Sequence, residues 1–112
     1  MGVMNGQAAG RATARPAVIP DDVDDPGVIK ASGRVVVPLN VRWSGPDAVY
    51  DLTDRRDRAR VYEQVLREGT DDDVRYFIDV DALLDLWPEL FLPTHVHAAW
   101  ARWLREHRGA SV

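Results

Sequence analysis

The sequence predicts an α+β fold that is mainly α: an N-terminal β-hairpin or short strands, followed by three to four short helices. Three observations predict it. β-branched and aromatic residues gather in short runs around positions 35–52. Beyond that point, apolar residues recur at helical spacing. Residues that cap helix starts and stops punctuate those periodic stretches.

The strands come first. Val35, Val36 and Val37 precede Pro38, and Leu39-Asn40-Val41-Arg42-Trp43 partly alternates. Ser44-Gly45-Pro46-Asp47 is a turn signal, after which residues 48–52 can pair back with 41–43. Pro38 has no N–H to give a ladder and so marks an edge. A first helix follows over 54–68, opened by Thr53 or Asp54, with Asp57 near the positive end of its dipole. Val61, Tyr62, Val65 and Leu66 form its apolar stripe, and Gly69 is expected to stop it in the left-handed conformation. Thr70-Asp71-Asp72-Asp73 resembles a capping box and opens a short helix to Phe77. Asp79 caps a third helix, 80–87, with Leu83, Leu84, Leu86 and Trp87 inward, and Pro88 ends it. Pro93 suits the first turn of the last helix, whose face carries Val96, Trp100, Trp103, Leu104 and His107 before Gly109 closes it.

The 112 residues amount to about one domain. Residues 1–33 are rich in Gly, Ala, Pro and Asp and have no aromatic side chain, so a disordered tail, or an untranslated over-extension of the gene, is expected there. The folded domain is assigned to 34–112. All four Trp, three Tyr and two Phe fall within it.

Composition excludes several function classes. With no cysteine there is no disulfide, thiolate metal site or cysteine nucleophile. A net charge of −4 argues against a general nucleic-acid coat. No apolar run approaches the roughly 20 residues of a membrane span, and no signal-peptide core precedes the domain. A cytoplasmic protein without cofactor is expected. The charge also changes sign along the chain. Residues 54–67 carry five Arg against three acids, and 90–112 carry three Arg against one acid. Between them, residues 68–89 hold eight acids against Arg75 alone, a local charge of −7. Such a block is either a solvated set of helix faces with capping acids, or a surface that steers a basic partner.

Asp79 and Asp81 would share one face if Tyr76-Phe77-Ile78 were a strand, and could then hold Mg²⁺ beside phosphates. The Gly-Ser turn of nucleotidyltransferases is missing, and a helix start accounts better for both acids. His95 and His97, two apart on a helix, do not share a face, so a zinc site is disfavoured. The sequence has no nucleophile elbow and no phosphate loop, which disfavours an enzyme. Arg55, Arg56, Arg58 and Arg60 could contact DNA, but interleaved acids allow intrahelical pairing. A helix-turn-helix from 54–68 and 71–78 would present an acidic helix start to phosphates. Trp100 and Trp103 lie three apart, and a division into one core and one partly exposed Trp is expected.

One resemblance adds to this. Val41-Arg42-Trp43-Ser44-Gly45, Asp51-Leu52-Thr53-Asp54, Val61-Tyr62-Glu63-Gln64-Val65-Leu66-Arg67-Glu68-Gly69-Thr70, Asp79-Val80-Asp81, Leu92-Pro93 and Ala99-Trp100-Ala101-Arg102-Trp103-Leu104 resemble a family of small actinobacterial proteins. These are encoded beside a nucleotidyltransferase-like toxin of the AbiEii class, as in the mycobacterial Men group. The resemblance spans roughly residues 34–108. It implies an antitoxin that neutralises a tRNA-modifying nucleotidyltransferase by direct binding. The expected contact surface is Asp71, Asp72, Asp73, Asp81 and Asp85, with Trp100 and Trp103 as apolar anchors. The alternatives are a DNA-binding autoregulator of its own operon, built on Arg55, Arg56, Arg58 and Arg60, and a minimal enzyme built on Asp79 and Asp81.

Overall fold

The computed structural model describes residues 16–37 and 49–112. A two-stranded antiparallel sheet precedes four helices, the α+β, mainly α architecture that the periodicity predicts. Strand β1 (Arg34–Val36) pairs with β2 (Val49–Asp51), with Val35 opposite Tyr50. The described partner of β2 is 34–36; the 41–43 expected from the turn signal, like the rest of 38–48 with Pro38 and Trp43, lies outside the described residues. The alternation of β1 and β2 turns Val35 and Tyr50 towards the core and leaves Val36 and Val49 exposed.

Helix α1 (Arg55–Glu68) starts where a carboxylate can satisfy its free N–H groups. Asp54 accepts from the amides of Arg56 and Asp57. Asp57 also receives the Asp51 amide, which pins β2 to the first turn of α1. The stop is different from the one expected. Gly69 has φ −76°, an extended conformation open to any residue. Glycine is needed there for space: a Cβ would stand 2.6 Å from the Val65 carbonyl oxygen. Gly109, at φ 61°, does close the last helix in the left-handed region.

Helix α2 (Asp71–Phe77) opens with the full capping box, Thr70 and Asp73 each accepting the other's backbone N–H. Helix α3 (Val80–Leu86) is capped by Asp79 and runs into a 3₁₀ turn at Trp87–Glu89, where Pro88 stops α-helical geometry. Helix α4 (Thr94–Arg108) has Pro93 just before its first turn. The inward stripes of α1 to α4 meet in one core around Val61, Val65, Leu83, Leu86, Trp100 and Leu104, all fully buried. Leu84, expected inward, is half-buried, and Val80 takes the core position instead.

The clearest departure is N-terminal. Residues 16–33 were expected within a disordered tail, yet they lie against the helices. Val23 is 0 % exposed and belongs to the core, with Ala17, Val18, Ile19 and Ala31 packed around it. Composition failed here because the segment does not fold by its own hydrophobicity. One buried valine and a set of bonds to distant residues hold it in place.

Candidate protein-interaction face

Several of the acids of the 68–89 block are occupied inside the molecule. Asp85 and Glu89 both grip Arg55 from α1, and the pairing raises the Arg55 pKa above its ordinary value. Asp81 grips Arg108 from α4. Asp72 pairs with Arg75 one turn away, and Asp73 builds the capping box. The two arginine-bearing helices thus turn part of their charge onto the block between them, and its charge of −7 is not displayed whole. Asp71 is exposed.

The two tryptophans divide as expected, one inside and one at the surface. Trp100 is 0 % exposed, so it is a core residue and offers no anchor to a partner. Trp103 is half-buried, edge-on to Trp100 and stacked against His107 with ring centroids 4.5 Å apart. His107 Nδ1 lies 3.0 Å from the Trp103 carbonyl oxygen, which fixes the imidazole over the indole. His97 lies tilted against Trp87 instead, with ring centroids 4.7 Å apart.

What faces Trp103 is the segment that composition assigned to a tail. Asp21, Asp22, Asp24 and Asp25 line an open cleft with Trp103 and His107. A second cleft lies beyond the turn at 24–26, bordered by Asp24, Asp25, Lys30, Asp79 and Asp81. The two clefts share that turn. Its shape follows from local bonds, the Gly27 amide donating to Asp25 Oδ1 at 2.7 Å and the Val28 amide to the Asp25 carbonyl at 3.0 Å. Three cations are set among the acids. Arg75 Nε donates to Asp22 at 2.8 Å and holds its carboxyl below the usual range. Arg108 bridges Asp24 and Asp81. Lys30 lies partly buried, its pKa lowered by desolvation against the pull of Asp79, Asp22 and Asp24. Among the described residues the carboxylates outnumber these cations, so the face they form is acidic, with an indole at its edge.

Of the seven residues expected at the contact surface, Asp81 and Trp103 belong to this face, and Asp72 connects to it through Arg75 and Asp22. Asp71 is exposed but lines neither cleft, Asp73 is structural, Asp85 belongs to a separate cluster with Arg55, and Trp100 lies in the core. The missed residues are Asp21, Asp22, Asp24 and Asp25. The one signal for them was a lone valine, Val23, between two acidic pairs.

Asp79 and Asp81 stand at a helix start, Asp79 accepting the Asp81 amide, and Tyr76 and Phe77 end a helix rather than a strand. Among the described residues no group of three His, Cys, Asp or Glu side chains is placed to hold a metal ion. No helix among them is long and apolar enough to cross a membrane. Comparison with known proteins finds no matching family model, no matching curated protein and no matching solved structure.

Proposed function

We propose that the chain is a cytoplasmic protein-binding module of the antitoxin kind. It neutralises a cognate nucleotidyltransferase toxin by direct contact and performs no catalysis of its own. The observation that carries this reading is the acidic face beside Trp103. An enzyme that holds tRNA and a nucleotide needs a basic cleft, and carboxylates can occupy such a cleft in place of phosphates. Long-range attraction speeds the encounter, while a tryptophan at the edge supplies desolvated contact area. The resemblance of residues 34–108 to antitoxins encoded beside such toxins supports the same partner.

The DNA-binding alternative has less to draw on. Of its four arginines, Arg55 is held by Asp85 and Glu89 and Arg58 is half-buried, which leaves Arg56 and Arg60 outward on α1. Co-expression of the full chain with the product of the adjacent gene, followed by size-exclusion chromatography at low and high salt, tests the proposal. Co-elution at low salt that weakens at high salt is expected. Separate elution at low salt overturns it.

A further inference from the structure

Residues 16–33 complete the C-terminal end of α2. A helix leaves its last four carbonyls without partners of its own. In α2 the Val74 carbonyl is taken by the Ile78 amide. The next two are satisfied from outside the helix, both by this segment. Lys30 Nζ donates to the Arg75 carbonyl at 2.7 Å, and the Ala31 amide donates to the Tyr76 carbonyl at 2.8 Å. The same ammonium donates to the Val23 carbonyl at 2.7 Å, tying the acidic turn to the helix end. Arg75 returns the link through Asp22, and Arg108 holds Asp24 from the end of α4. Beneath these bonds Val23 is fully buried.

We propose that residues 16–33 are a latched strap, with Lys30 as the latch, and that strap and α2 open and close together as one local unit ahead of global unfolding. The coupling is geometric. If the strap leaves, two carbonyls of α2 lose their donors and the Val23 seat opens. If α2 unwinds, Lys30 and Asp22 lose their partners. Each half therefore removes the other's bonds, which is what makes a local opening cooperative. The ion pairs in the latch are partly solvent-exposed, so salt screens them and favours the open form. Opening also carries four aspartates away from the Trp103 cleft. The strap inference stands whether or not that face binds a partner.

Native-state hydrogen exchange on the full chain tests it. Lys30→Met keeps the aliphatic stem and removes both charge-assisted bonds. Exchange at Ala31 and at Phe77 and Ile78 should quicken by a common factor of about ten or more. In the wild type these three amides should open with one free energy, below that of the Trp100, Ala101 and Leu104 amides in α4. Faster exchange at Ala31 with Phe77 and Ile78 unchanged overturns the coupling. A wild-type opening free energy at Ala31, Phe77 and Ile78 equal to that of the α4 amides also overturns it, because the strap would then open only with the whole molecule. If Lys30→Met does not fold, Asp22→Asn and the wild type at raised salt are read by the same pattern.

Discussion

Two apolar residues six positions apart in the strap should behave oppositely on truncation. Val23 is 0 % exposed, whereas Ile29 is 82 % exposed. Val23→Ala deletes two buried methyl groups. At about 0.8 kcal/mol per buried carbon, transfer alone costs about 1.6 kcal/mol. The small cavity left behind brings the loss to about 2 kcal/mol. Ile29→Ala removes more carbon but from a side chain already in water, so it should change stability by about 0.5 kcal/mol or less. Urea unfolding of the full chain, followed by tryptophan fluorescence, reads both. A docked strap loses the Val23 contribution in full, and a loose tail loses none. Equal free energies for Val23→Ala and the wild type would refute the reasoning, and so would equal losses for the two variants.

Other expectations follow from the same geometry. Trp100→Ala should cost about 3–5 kcal/mol in a urea melt, as for other buried aromatics; Trp103→Ala should cost much less and act on partner binding instead. Gly69→Ala should destabilise by about 1–3 kcal/mol through collision with the Val65 carbonyl. Gly109→Ala should cost about 1 kcal/mol through its positive φ, with no neighbour within 4 Å to collide with, so Asn should be tolerated better at 109 than at 69. The Asp22 carboxyl lies below its ordinary 3.8, so its contribution is present above that pH and is lost as acid protonates the folded form; Asp22→Asn should flatten the acid limb of stability against pH. Burial pushes the Tyr62 hydroxyl up to about 12 from its ordinary 10.0, so its contribution is present below pH 10 and falls as pH rises towards 12; Tyr62→Phe should flatten that alkaline limb.

Local chemistry was legible in the sequence. Asp54, Thr70 with Asp73, and Asp79 cap the helices that their positions promised, because a cap is decided within three or four residues. The spacing of Trp100 and Trp103 puts both on one face of α4; that the first is buried and the second only partly so is settled by packing, which spacing does not give. Gly69 was placed correctly as a stop but for the wrong reason, as only the packed structure shows the Val65 carbonyl in the way. The strap was illegible because its bonds are distant. Lys30 reaches Arg75 across 45 positions, Arg75 reaches Asp22 across 53, and Arg108 reaches Asp24 across 84. Composition measures what a segment can bury alone, and this one is held by what others offer it. The same limit hid the fate of the 68–89 acids, since charge counted along the chain does not show which carboxylates meet an arginine from another helix.

The most direct test of the proposed face is the affinity of the full chain for the product of its adjacent gene, measured against salt. Asp21→Asn with Asp25→Asn is the informative variant, because both carboxylates are exposed and, among the described residues, neither is placed in an ion pair. Weaker binding with a shallower salt dependence is predicted for that pair, and weaker binding with an unchanged salt dependence for Trp103→Ala. Wild-type affinity and wild-type salt dependence in both variants would contradict the acidic face as the contact surface.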